Sequence, residues 1–346
     1  MDYTLGRLCA VIKPKYKVIS TILGEDFRPT NGLDIFLDLN SVVEATLSST
    51  KYLSSMMFAS DVEEDMVSSI LYIVKHWKDF CRRYETDVRI FLMINSFDLE
   101  AEMYEHSQLK SYLIPMKNKY NHERLNQLTY YWKDSLKKIK NVMNYIPCCY
   151  LIQSDKCDSY VIPNLLDDYT SRQRIVVSGS SLFTNYHYMN NTKIIYSRYR
   201  VTGMAQLSDP IMIVQALSKI DEPIVETFAK NKVFYNLLSA IIGDKNRGMI
   251  GLTQLGITGF AETLLRAVEK RDIPENPQSL DSVLPVINTD YHEYLKQVYP
   301  LIDIELHSNM IPSSYITELK SNLVDKYEID KLRGITVKDL NLLELL

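Results

Sequence analysis

Short apolar runs in this chain end in residues able to do chemistry. Asp38 closes LDIFLD and Asn95 closes VRIFLMIN. Gln153-Ser154-Asp155-Lys156-Cys157-Asp158 follows CCYLI, and Ser178-Gly179-Ser180-Ser181-Leu182 follows RIVV. Gly243-Asp244-Lys245-Asn246-Arg247-Gly248 follows the helical stretch NLLSAII. In an open parallel sheet, ligands gather outside the carboxyl ends of the strands, so a site would assemble from these tails. Each acid also has a plain structural reading. Asp38 suits the N-cap of a following helix. Asp155 and Asp158 suit the first turn of a helix, where a carboxylate complements the dipole. Asp244 after Gly243 is a common turn pair. The Gly-Asp-Lys-Asn-Arg-Gly stretch is not a phosphate-binding P-loop, because the spacing and the Lys-Ser/Thr pair are wrong.

A different chemistry lies in residues 115–145. Lys117, Lys119, Arg124, Lys133, Lys137, Lys138 and Lys140 face only Glu123 and Asp134, a net charge of +5. Tyr120, Tyr130, Tyr131, Trp132 and Tyr145 are interleaved with them. Cations of this kind contact phosphates and aromatic rings stack on bases. A solvated amphipathic helix has the same pattern.

The elements that must hold these residues are legible from periodicity. LDIFLDL (33–39) and VRIFLMI (88–94) are short, apolar and bounded by turn signals, which reads as buried strand. CCYLI (148–152) and RIVVS (174–178) read the same way, and Cys148-Cys149 read as buried strand residues. Residues 41–58 read as helix. Residues 61–85 read as an amphipathic helix capped by Asp61 with Glu64, its apolar face formed by Met66, Ile70, Ile73, Val74 and Trp77. Residues 121–144 read as a long basic helix and 158–168 as a further helical piece. Strand and helix alternating in this way predict an α/β fold with a parallel sheet and crossover helices. HYMNNTKIIYSRYR (187–200) reads as a hairpin turning at Asn190-Asn191. Beyond about residue 206 the chain reads as mainly helical.

Composition bounds the rest. The chain has 346 residues, with 46% hydrophobic and 24% charged, which is the make-up of an ordinary folded protein of about two domains. No apolar run approaches the roughly 18 residues of a membrane span, so no membrane partner is expected. MDYTLGRLCAVIKPKYK has no clean apolar core, so a signal peptide is not expected. A net charge of -4 excludes a uniformly basic nucleic-acid coat but not a local basic patch. The five cysteines form no CxxC and the six histidines no HxxxH, which excludes a disulfide framework and a zinc ribbon and favours a reducing compartment. The 24 tyrosines and the preference for Lys over Arg hint at an AT-rich genome such as a phage's.

The order of elements and tails over about residues 32–330 resembles the 5′-nuclease superfamily, which includes flap endonucleases and the PIN-like fold. Within it the chain is most similar to the ribonuclease H branch of T-even phages. IFLDLNSVVEATLSS resembles the family's first-strand motif and IFLMINSF its second strand. PMKNKY resembles a Tyr-Lys-x-x-Arg segment, with Met116 in place of the Tyr. SDKCDSYVI falls where the family has Glu-Ala-Asp-Asp, and VVSGSSLFTNY where it has Ser-Asp-x-Asp-Phe-Thr-Gln-Leu. IIGDKNRGMIGLTQLG falls on the Gly-Asp-x-x-Asp-Asn stretch and the helix–hairpin–helix after it, and YHEYLKQVYPLID resembles the C-terminal helices. The resemblance implies an N-terminal extension (1–30), a PIN-like α/β nuclease-type domain (31–205) and a helical C-terminal region (206–346) with a helix–hairpin–helix-like segment at about 239–268. It makes 115–145 the arch that clamps a 5′ strand. It gives Gly251 and Gly256, with Gly259, the turns at which backbone N–H groups hold a DNA phosphate. Thr258 stands near the place of the family's lysine there.

The family's chemistry rests on seven or eight carboxylates holding two Mg²⁺ ions, which polarise a phosphate and activate water. By this resemblance Asp38, Asp155, Asp158 and Asp244 remain as a remnant catalytic and metal-binding cluster. Asn95, Cys157, Ser180, Leu182 and Arg247 occupy positions where the family has acids. Four carboxylates would hold one Mg²⁺ weakly, and Arg247 would repel a metal. The expectation is a catalytically degenerate relative, without a cofactor or with Mg²⁺ for residual activity. It would bind DNA or a protein partner, in the cytoplasm of an infected cell or in a virion. A shifted register, with Asp98 or Asp167-Asp168 as the acids, would instead give an active Mg²⁺-dependent 5′-to-3′ exonuclease or flap endonuclease. A virion structural protein reusing the fold is the third reading.

Overall fold

The computed structural model describes residues 27–39, 59–81, 83–84, 86–95, 136–154, 156–167, 172–179, 181–196, 206–207, 228–244, 249–252 and 257–332, together with Leu23. The predicted helix at 41–58 and most of the basic segment lie outside these residues.

Among the described residues, six strands form one sheet: β1 (Leu33–Asp38), β2 (Val88–Asn95), β3 (Cys149–Ser154), β4 (Gln173–Ser178), β5 (Thr192–Tyr196) and β6 (Gln206–Leu207), in the order β3-β2-β1-β4-β5-β6. The first five run parallel and β6 is antiparallel. β1 is buried along its whole length, which is why its sequence is a near-continuous apolar run rather than an alternating one. Alternation sorts the side chains instead into two separate cores. Leu33, Ile35, Leu37, Ile90, Leu92, Ile175 and Val177 join a core with helix α1 (Ala59–Cys81) and the helix at 136–143, here α2. Phe36, Phe91, Met93, Tyr150, Ile152 and Val176 pack on the opposite face, against the C-terminal helices. α1 turns Ile70, Ile73, Val74 and Trp77 inward, at the spacing of one helical face.

The amino ends of β1 and β2 are pinned by ions. Asp34 is 4% exposed and accepts from Arg89 Nε and Nη2 at 2.7 and 2.6 Å and from Arg172 Nε at 2.9 Å. Arg172 Nη1 also reaches Asp87 at 2.8 Å. The guanidinium lies where a Cβ at Gly32 (φ 105°) would sit, 2.2 Å from Nη1, so only glycine fits there.

The second face is covered by α4 (Lys232–Ile242), α5 (Ile257–Glu269), α6 (His292–Ile302) and α7 (Ile304–Asn309). A short piece, α3 (Ile162–Leu165), follows a 3₁₀ turn at Ser159–Val161 and packs against α7. A further helix, α8, spans Ser313–Leu332. Buried polar groups lock the C-terminal helices to the rest. The Tyr160 hydroxyl donates to the Ile302 carbonyl, and Asn185 Nδ2 donates to the same carbonyl at 3.2 Å. Among these helices, Tyr294 of α6 donates to the Ala240 carbonyl of α4 at 2.8 Å and so ties the two together.

Three sequence expectations need correction. The segment before Asn190 is a 3₁₀ helix (Ser181–Tyr188), and β5 pairs in parallel with β4, so 187–200 is not a hairpin. Asn191 does turn the chain, at φ 57°, but the turn ends a crossover. Turn chemistry sets where the chain bends; the partner of β5 is a tertiary choice that it does not carry. Cys148 adopts φ 55° and belongs to the turn before β3, while Cys149 starts the strand; both are buried. The predicted 158–168 helix is a 3₁₀ turn (Ser159–Val161) followed by a single α turn (Ile162–Leu165): Pro163 has no N–H to donate to the Ser159 carbonyl, so an α-helix cannot run unbroken through the start of the segment.

Candidate active site

The carboxyl ends of four neighbouring strands carry Ser154, Asn95, Asp38 and Ser178, and the alternation of each strand directs all four to the face covered by the C-terminal helices. β1 and β4 are adjacent in the sheet although β2 and β3 lie to the other side, so the strand order reverses between them. That is the topological switch point where ligands bind in open α/β sheets. Asp38 and Ser178 flank it. Asp38 is 1% exposed, and its Oδ2 accepts from Ser178 Oγ at 2.6 Å, the length of a charge-assisted bond.

Asn95 reaches across to the next connection. Its Oδ1 accepts from the backbone N–H of Ser159 at 2.7 Å. Asp158 caps the same 3₁₀ turn, accepting from the Tyr160 N–H at 2.9 Å. Asp158 therefore stands at the N-cap of this turn and not, as the sequence reading placed it, in a helix's first turn. Ser154 Oγ donates to the Cys157 carbonyl and lies 3.2 Å from Cys157 Sγ. Cys157 and Leu182 are core residues packed under the row. Arg174, Val176 and Ser178 share one face of β4, and Arg174 pairs with Asp167 at 3.1 Å on the opposite, amino end.

Other expected site residues are placed only in part. Asp244 pairs through its backbone with Met249 in a two-residue ladder, β7 (Gly243–Asp244) with β8 (Met249–Ile250), between α4 and α5. Its side chain lies outside the described residues, as do Asp155, Ser180, Arg247, Lys117, Lys119, Arg124, Lys133 and Gly256. Lys137 is exposed on α2. Gly251 packs so closely on the end of α4 that a Cβ would lie 2.2 Å from the Ile242 carbonyl oxygen.

Ser154 and Ser178 stood in the strand tails read from the sequence, but without a role in the site. The available signal was a hydroxyl closing an apolar strand beside the switch point, but which strands flank that point is set by sheet order. Among the described residues, no three His, Cys, Asp or Glu side chains come together as metal ligands. The described row offers a buried carboxylate bonded to a hydroxyl, a capping carboxylate, an amide and a thiol. Mg²⁺ takes hard, charged oxygens. Among the described residues of this site, Asp38 and Asp158 supply the oxygens of that kind.

The sequence matches no family model and no curated protein. Solved structures do match in shape. The flap endonuclease D15 of bacteriophage T5, in a pseudo-enzyme–product complex with DNA and metal ions, superposes with a TM-score of 0.50 at 12% identity, over 86% of this chain and 99% of that one. The fold is that of the flap endonucleases. The T5 5′-exonuclease with bound zinc ions gives a TM-score of 0.48 at 12% identity, over 85% of this chain and 99% of that one. The catalytic core of Rad2 with DNA substrate gives 0.37 at 11% identity, over 80% and 84%. In the flap-endonuclease fold of this chain, the strand-end row occupies the switch point, and the Gly243–Ile250 ladder joins α4 to α5.

Proposed function

We propose that this chain is a diverged relative of the phage 5′ nucleases, nearest to the T-even ribonuclease H branch, whose role is binding rather than cutting. DNA is the leading ligand and a protein partner the second, in phage replication inside the infected cell or in a virion. The observation that carries this reading is the strand-end row itself. Asp38 is the one carboxylate among its four side chains, and Ser178 and the Ser159 N–H bond to Asp38 and Asn95 within the protein. Asp155, Asp158 and Asp244 complete the proposed remnant cluster. Lys117, Lys119, Arg124, Lys133 and Lys137 are the proposed phosphate contacts, with Gly251 and Gly256 at the helix–hairpin–helix-like turn. Phosphate contacts position a duplex without reading its sequence, so the binding would depend on salt and on DNA shape.

The test incubates purified protein with a 5′-labelled flap DNA and a plain duplex, in Mg²⁺ and in Mn²⁺, beside an Asp38→Ala control, with binding read by gel shift. Binding without cleavage is the expected result. Metal-dependent cleavage that disappears in Asp38→Ala would establish an active 5′-to-3′ nuclease instead. Neither binding nor cleavage would leave a structural protein that reuses the fold.

A further inference from the structure

A lysine far along the chain holds the end of the basic helix. Lys326, half-buried on α8, directs its ammonium at three backbone carbonyls. It donates to Met143 at 2.7 Å, to Ile146 at 3.2 Å and to Cys149. It also stands 5.3 Å from the centre of the Tyr150 ring. An ammonium has three N–H donors, and here three acceptors meet them. Met143 closes α2, so the cation satisfies a helix carbonyl and faces the negative end of the dipole. Ile146 lies in the turn that follows. The Ile90 N–H takes the Cys148 carbonyl at 2.8 Å, so alternation turns the Cys149 carbonyl to the outer side of β3, the edge of the sheet. One cation therefore ties helix end, turn and edge strand together across some 180 residues of sequence.

What this tie orients is a charged surface. α2 buries Leu136, Ile139 and Met143 and exposes Lys137, Lys138 and Lys140, with Tyr145 exposed just beyond. Apolar packing fixes which face points inward. It leaves the helix free to slide or tilt along that face, and a bond at its carboxyl end removes this freedom. We infer that Lys326 is a positioning residue for nucleic-acid binding. It touches no DNA; it sets the register of α2, so that Lys137, Lys138 and Lys140 meet successive phosphates of a DNA backbone. The inference rests on the DNA-binding reading above.

The test compares wild type, Lys326→Met, Lys326→Arg, a Lys137/Lys138/Lys140 triple alanine variant and the triple variant carrying Lys326→Met. DNA affinity is measured over a salt series with the flap DNA, and amide hydrogen exchange is followed over residues 136–149. Circular dichroism confirms that each variant is folded. Methionine keeps the aliphatic stem and loses the donors. Arginine keeps the charge, but its planar fork cannot meet three converging carbonyls. Both single variants are expected to lose about tenfold in affinity, with a shallower salt dependence, since each lost phosphate contact removes about 0.9 from the slope. Both should speed exchange in 136–149, and Lys326→Met should add little to the triple variant. Wild-type affinity in Lys326→Arg would overturn the inference, because charge alone would then suffice. So would unchanged exchange in 136–149, or full additivity with the triple variant. If wild type binds no DNA, the DNA-binding reading fails and the role for DNA fails with it. Faster exchange in Lys326→Met would then show that the tie to α2 stands apart from that reading, and unchanged exchange would overturn the tie as well.

Discussion

At the end of β2, Asn95 accepts from the Ser159 N–H through a neutral oxygen. An aspartate there would accept the same bond and add a charge on the face that already holds Asp38. Asp38 pairs in register with Met93, so Asn95 is its diagonal neighbour two residues further along. Like charges so placed raise each other's pKa and oppose ionisation. Asn95→Asp is therefore expected to destabilise the folded chain by about 1 kcal/mol at pH 7. The folded state of that variant holds its protons more tightly than the unfolded state does. Its deficit should accordingly grow as pH rises through the carboxylate range and shrink as pH falls toward 4. Thermal melts of both proteins between pH 4 and 7 would show it, and a constant deficit across that range would mean that Asn95 matters only as a cap.

Asp303 plays a structural counterpart at the scale of helices. Its Oδ1 caps α7, accepting from the Glu305 and Leu306 N–H groups at 3.0 and 3.1 Å. Its Oδ2 accepts from Asn236 Nδ2 at 2.9 Å and lies 3.2 Å from Lys232 Nζ, both on α4. The side chain thus fastens one helix to another while ending α6. Asp303→Ala would remove a cap together with a buried hydrogen bond to the Asn236 amide, at a cost of about 2 kcal/mol. Urea unfolding should show a lower midpoint with an unchanged slope, and a changed slope would mean that α4 and α7 part before the rest unfolds.

Across the whole molecule, the second core is rich in buried tyrosines. Burial pushes the hydroxyls of Tyr186, Tyr235 and Tyr299 up from the ordinary value of 10.0. Tyr186 also donates to the Tyr160 carbonyl at 2.6 Å, and Tyr235 bonds to Thr184. Above pH 10 the unfolded chain releases these protons while the folded chain keeps them. Stability contributed by the neutral hydroxyls should thus hold to about pH 9 and fall as pH rises past 10. Melting temperatures followed from pH 8 to 11.5, beside the tyrosinate absorbance, would test this. A loss of stability complete before tyrosinate appears would assign the alkaline transition to other groups.

Much of this fold was legible along the chain. β1, β2 and β4 ended within a residue of where apolar runs met polar tails, because a strand buried on both faces has no freedom in composition. α1 was legible because its buried face repeats with the helical period. The positions of Asp38 and Asn95 at strand ends followed from the same patterns. Pairing did not follow. β5 lies parallel to β4 instead of folding back as a hairpin, since turn residues bend a chain without naming its partner. The bond from Ser178 to Asp38 joins strands 140 residues apart in sequence, and Lys326 reaches carbonyls some 180 residues away. Local periodicity carries burial, and burial carries the elements. Sheet order, and with it the side chains that meet at the switch point, is decided only when distant segments compete for the same edge in the packed molecule.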